Sequence, residues 1–389
     1  MTLYRSPTPE ELLALLTPLT QSPSPWCNGL SIAIGWAGKG LSSGTYLFQP
    51  QKEPINFELR EDSLFKIGSL SKTFTATLYA RLLLENNVIN PETRVGDILS
   101  FGNAIDNIPL LALVNYTSGF LADNVGADSP THPNPLPTPY YSIDDMLAYL
   151  QASPEYFYPM IPGVDYSYSN LAFSLLLVLL AKATGYDDVE ALTSDMLFSP
   201  LGLYDARYCP VTGQDDPQPN FLDYYNYSLN AGFTSTNASF ARFNAYYGGG
   251  GIMISPRDLL TWLQFNLRGD YAPESFTPAV KVRLHTPSTA VKTPGGGKLC
   301  MGWFMLPPST SGAQLLSKNG DISGGSSLMK MVSSPNPGYE ESAAGVFAVV
   351  NAQGMIYNNQ PVMDWVVNRV LALMTTPSPH ILSSGARGS

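Results

Sequence analysis

Residues 65–74, Phe-Lys-Ile-Gly-Ser-Leu-Ser-Lys-Thr-Phe, leave this chain few ways to fold. The stretch opens apolar and strand-like, a glycine breaks it, and a helix begins directly after Ser69. Phe74, Leu78 and Leu82 recur at a spacing of four, which predicts one helix from Leu70 to about Asn86. Ser69 then stands at a helix N-terminus, where unpaired backbone N–H groups favour developing negative charge. Lys72 lies one turn further on, with its amine in reach of the serine oxygen. A serine hydroxyl is a poor nucleophile until a base takes its proton, so the pairing has the makings of covalent catalysis. On its own the spacing is common. A capping serine followed by a solvated lysine reads the same.

Composition narrows the setting. The chain has 389 residues, 44% hydrophobic and 13% charged, which fits a folded core of up to two lobes rather than disorder or a coiled coil. A net charge of −10 argues against nucleic acid and anionic membrane surfaces as partners. The longest apolar run, Leu171 to Ala181, is about half of what a membrane span needs. No basic-then-apolar signal opens the chain. The expectation is a cytosolic protein or a mature form lacking its signal, with the extracytoplasmic form slightly favoured. Cys27, Cys209 and Cys300 allow one disulfide at most and no cysteine-rich metal site, and neither a metal nor a cofactor is expected.

The order of elements points to an α/β fold. Gly29–Trp36 and Thr45–Phe48 read as strands joined by a Gly/Ser turn. That turn, residues 40–44, matches Gly-x-Ser-x-Gly, but strands flank it on both sides, so it reads as a hairpin loop. Helices are expected over 142–152, from about Asn170 to Gly185, over 187–198 and from Ser255 to Leu267. Gly248–Gly251 reads as a flexible approach to a strand. Short strands follow at 299–306, 314–319, 326–332 and 344–350, and a helix at 362–374 closes the chain. The expected plan is an antiparallel sheet flanked by helices, built from residues 1–85 and 250–376. A mostly helical lobe, 86–249, is inserted with long loops, and a disordered tail covers 377–389.

Three motifs occur in a fixed order: Ser69-Leu70-Ser71-Lys72, Tyr168-Ser169-Asn170 and Lys318-Asn319-Gly320. Further segments accompany them, including Tyr116-Thr117-Ser118-Gly119, Pro162-Gly163, Pro200-Leu201-Gly202, Ser255-Pro256-Arg257-Asp258 and Met301-Gly302-Trp303-Phe304. Together these resemble the class C β-lactamase and D-alanyl-D-alanine carboxypeptidase family of serine hydrolases, and look closest to its AmpH-like penicillin-binding branch. The resemblance spans nearly the whole chain and implies a β-lactamase/transpeptidase-like fold. It implies that Ser69 forms an acyl-enzyme on an ester or amide, and that Tyr168 is the general base. Lys72 and Lys318 would favour its phenolate, and Asn170 would orient Lys72. It assigns the oxyanion to the backbone N–H groups of Ser69 and Asp321. Asn124, Asn319 and Gly320 fall at its substrate-binding positions.

Two positions depart from that pattern. Asn319 stands where the family has a threonine whose hydroxyl helps hold a substrate carboxylate. Asp321 adds a negative charge beside the same region, which would repel a carboxylate if the side chain points inward. Both leave the acylating residues in place and make a neutral ester or amide, small-molecule or peptide, the more attractive substrate. Hydrolysis, transfer of the acyl group to an organic acceptor, and a non-catalytic penicillin-type sensor or scaffold stay open as readings. Of the three histidines, His132, His285 and His380, none has a sequence neighbour that marks a Ser-His-Asp triad or a zinc site.

Overall fold

The computed structural model describes residues 4–20, 29–38, 40–50, 57–85, 88–120, 142–152, 160–209, 220–228, 232–235, 244–267, 276–307, 314–333 and 344–375. The expected tail, 377–389, lies outside these residues.

Strand β1, Ile32–Gly38, reads Ile-Ala-Ile-Gly-Trp-Ala-Gly, and every residue of it is buried. A strand without a polar face needs cover on both sides. Alternation sends Ile32, Ile34 and Trp36 into one apolar core and Ala33 and Ala37 into another. Gly35 has no side chain because Phe347 fills that place: an added Cβ would lie 2.1 Å from the Phe347 ring. The rest of this sheet is β2 (Gly44–Phe48), β3 (Lys298–Leu299), β4 (Phe304–Leu306), β5 (Gln314–Ile322), β6 (Gly325–Ser333) and β7 (Ala344–Val350). The spatial order is β2-β1-β7-β6-β5-β4-β3, antiparallel throughout.

Helices cover both faces. On one side α1 (Pro9–Leu16) joins the C-terminal helix, Val362–Thr375, over the core of Ile32, Ile34, Val346 and Ala348. On the other lie α2 (Ser71–Leu84), α3 (Asn170–Thr184) and α4 (Pro256–Leu267), which makes the C-terminal helix α5. In α2 every residue except Arg81 and Leu84 is buried, the mark of a helix at the centre of a fold rather than on its surface. Phe74 of α2 stacks on Trp262 of α4 with centroids 3.9 Å apart, a contact of about 0.5–1.5 kcal/mol beyond its buried area.

Three local features differ from the sequence expectation. The helix after Ser69 starts with a 3-10 turn, Gly68–Leu70, before α2. The strand expected over 299–306 is two pieces, because Gly302 turns at φ 72° to pack on α2, where a Cβ would meet Lys72 O at 2.8 Å. The strand expected to stop at Asn319 continues to Ile322, and the turn at Ser323-Gly324 leads into β6. The third motif therefore lies inside an antiparallel hairpin, not at a strand end.

Candidate active site

Two glycines bring the Ser69 turn onto β5. Gly68 adopts φ 50°, and a Cβ there would stand 2.8 Å from Asp321 N. Gly320 faces back, where a Cβ would be 1.9 Å from Ile67 O and 2.8 Å from Leu70 N. The Ser327 hydroxyl donates to Ile67 O at 2.7 Å and ties β6 to the same turn. The main chain of Asp321 thus borders the turn that carries Ser69. Gly320→Ala should push the hairpin off this turn, at a cost of about 1–3 kcal/mol of stability and with a loss of turnover. Urea unfolding and ester hydrolysis measured on the same sample check both, and an unchanged midpoint would mean the two segments can separate freely.

Lys72 is fully buried at the start of α2. Its Nζ donates to Ser69 Oγ at 3.1 Å, to Gly249 O at 2.6 Å, and to Asn170 Oδ1. An ammonium has three donors, and all three find acceptors without a carboxylate among them. Asn170 opens α3, where the N-cap Ser169 takes the Ala172 N–H at 3.0 Å and fixes how the helix starts. Gly249 was not foreseen. The glycine run read as a flexible approach is a helical turn, Tyr247–Gly250, wedged between α2 and α3. A Cβ on Gly248 would lie 2.3 Å from Phe173 O, and one on Gly249 3.0 Å from Asn170 O. Only glycines let that carbonyl come down to Lys72. The run itself was the visible signal, since consecutive glycines also mark close backbone approach.

Tyr168 sits between the two lysines. Lys72 Nζ is 4.7 Å from its ring centroid and Lys318 Nζ 5.5 Å. The ring stacks on Tyr116 at 5.7 Å and 12°. Tyr116 is buried and held at φ 63°, a conformation a tyrosine adopts only when its surroundings enforce it. Its hydroxyl donates to Gly302 O at 2.8 Å, and its carbonyl accepts from Ser167 N at 2.8 Å. Tyr116 therefore backs the Tyr168 ring from a pinned position, a role the sequence reading missed.

Lys318, 1% exposed, donates to Asn319 O at 2.5 Å and lies 5.7 Å from the Phe304 ring centroid. Burial pushes its pKa down to about 7, against a smaller upward pull from Asp321. Burial favours the neutral amine, so Lys318 is cationic below about pH 7 and neutral above. The cation beside Tyr168 favours negative charge there, so kcat/KM for a neutral ester should fall as pH rises through about 7. Lys318→Arg, which stays charged, should carry this limb out of the neutral range. A wild-type profile flat from about pH 6 to 8, or an inflection that survives in the arginine variant, would remove Lys318 from that role.

Asn319 and Asp321 are exposed and alternate with buried Lys318 and Gly320 along β5, so their side chains leave on the opposite face. The Asp321 carboxylate takes the Ser326 hydroxyl at 2.6 Å and, at 3.5 Å, the Asn319 amide. It does not point inward beside Lys318. Strand periodicity, not a change of motif, decides this. Asn124, Cys27, His132 and His380 lie outside the described residues. His285 Nε2 meets Asn266 Oδ1 at 3.1 Å, and its ring packs edge-on to Trp303, so it serves the core. Among the described residues no group of three or more His, Cys, Asp or Glu could hold a metal ion, and no helix is long and apolar enough to cross a membrane.

The family model described as Beta-lactamase matches residues 28–361. A protein of Providencia stuartii named beta-lactamase is 27% identical over 295 residues, covering 75% of this chain and 68% of its own length. The D-alanyl-D-alanine-carboxypeptidase/endopeptidase AmpH of Escherichia coli K12 is 25% identical over 289 residues, covering 71% and 70%. Among solved structures, a beta-lactamase/D-alanine carboxypeptidase from Yersinia pestis complexed with citrate superposes with a TM-score of 0.65 at 22% identity. That match covers 93% of this chain and 98% of the other, and shows a shared fold, the β-lactamase/transpeptidase-like one.

Proposed function

Because this chain belongs to the beta-lactamase family and is a serine hydrolase of it, we propose that it cleaves a neutral ester or amide through an acyl-enzyme on Ser69. The observation that carries the reading is the run of contacts Asn170–Lys72–Ser69 beside a tyrosine with a second buried lysine 5.5 Å from its ring centroid.

In this mechanism the substrate carbonyl lies against the Ser69 turn, with its oxygen toward the backbone N–H groups of Ser69 and Asp321. Tyr168 takes the Ser69 proton as Oγ bonds the carbonyl carbon, and returns it to the leaving oxygen or nitrogen as that bond breaks. Lys72, held by Asn170 and Gly249 O, keeps Ser69 Oγ in place. Tyr168 then takes a proton from water, which attacks the acyl-enzyme, and Ser69 leaves protonated. The beta-lactamase and AmpH relatives cut amide bonds by name. Asn319 has no hydroxyl and its side chain leaves on the face away from Lys318, so this position offers no grip to the carboxylate of a β-lactam or D-alanyl terminus.

Mass spectrometry after acid quench tests the proposal. A short-chain nitrophenyl ester should leave an acyl mass on the peptide holding Ser69, and benzylpenicillin should do so more slowly. Label on another residue, or none from any ester, would end the proposal. A product that forms only with an added alcohol or amine would reassign the same acyl-enzyme to transfer.

A further inference from the structure

We propose that a cavity on the α5 side of β5 is a substrate subsite for an apolar group carrying a positive charge. The proposal rests on the acyl-enzyme reading above. Between the end of β5, β6 and the start of α5 lies a space of about 270 Å³. Its floor is Leu328, Val350, Met355, Val362 and Met363, each at most 5% exposed. Its polar wall includes the carboxylates of Asp321 and Asp364, and among the described residues no lysine, arginine or histidine lines it.

The two carboxylates differ in what they already hold. Asp364 Oδ1 accepts from Lys330 Nζ at 3.1 Å, and that amine also bonds Asn368 Oδ1 at 2.9 Å. Asp321 takes only neutral donors, Ser326 and Asn319, and is in no ion pair among the described residues. A negative charge at the mouth of an apolar hollow favours a ligand with an apolar body and a cationic head. The body gains burial, the head gains Asp321, and a carboxylate is repelled.

Asp321 also links the hollow to the reaction. Its main chain borders the Ser69 turn while its side chain lines the cavity, so one residue separates the two. Strand β4 pairs with β5 only from Leu315 to Ser317. Beyond Ser317 that edge of β5 has no strand neighbour among the described residues. A substrate whose carbonyl meets Asp321 N–H crosses this edge to enter the cavity.

The probe is benzyltrimethylammonium, which is cationic, apolar and unable to accept an acyl group. Calorimetric titration uses the Ser69→Ala protein, so that binding is read without turnover. The probe should bind, benzoate should not, and adding Asp321→Asn should weaken the probe at least about tenfold. With wild type it should raise KM for a neutral nitrophenyl ester and leave kcat unchanged. No binding, affinity indifferent to both Asp321→Asn and Asp364→Asn, or inhibition that lowers kcat alone would overturn the subsite. If wild type hydrolyses no ester, the acyl-enzyme reading fails while the titration still decides the cavity.

Discussion

Ser69→Ala is expected to lower kcat for a short-chain nitrophenyl ester by at least about 10³-fold and to leave the fold intact. The variant loses the atom proposed to carry the acyl group, so on this reading the remaining rate comes from binding and backbone donors alone. Stability should barely move. Ser69 is partly exposed, and Lys72 keeps its bonds to Asn170 and to Gly249 O. The lost Lys72–Ser69 hydrogen bond is worth about 0.5–1.5 kcal/mol, within reach of a thermal melt. Equal rates for wild type and variant would place any esterase activity elsewhere and leave the scaffold or sensor reading in its stead.

Tyr168→Phe should cost about 10²–10⁴-fold in kcat, the usual worth of a positioned general base, with a much smaller change in KM. Phenylalanine keeps the ring that stacks on Tyr116 and lies beside both lysines, so packing is preserved and only the proton carrier goes. In the proposed mechanism acylation and deacylation both pass a proton through this group, so rapid-quench measurement should find both steps slowed. A variant slowed only in deacylation would leave Tyr168 as the activator of water and make Lys72 the base for attack.

Much of this was readable in the letters because it is local. The Ser69–Lys72 contact follows from residues three apart at the start of a helix, and the 3.1 Å separation is the geometry that spacing allows. The strand β1 was legible as a strand, and its lack of a polar face, which asks for cover on both sides, was there to be read as well. The exit of Asn319 and Asp321 from the face that holds Lys318 was also within reach. A period of two separates them from Lys318 once the strand runs past Asn319, which the expected strand end hid. The Gly249 acceptor was not legible, since a backbone carbonyl has no letter, and only the packing of Gly248 against Phe173 brings it to Lys72.

The sequence by itself determined the pairing of Ser69 with Lys72, the order of the three motifs and the layered plan of sheet and helices. These depend on helical spacing, strand periodicity and residue type, which act over a few positions. Only the tertiary structure decided that Gly68 and Gly320 close the Ser69 turn onto β5, that Lys318 is stripped of water, and that Tyr116 braces Tyr168. It alone assembled the acidic hollow from residues 319–328 and 350–364. Burial and close approach are properties of segments that meet in space, and no spacing along the chain encodes which segments meet.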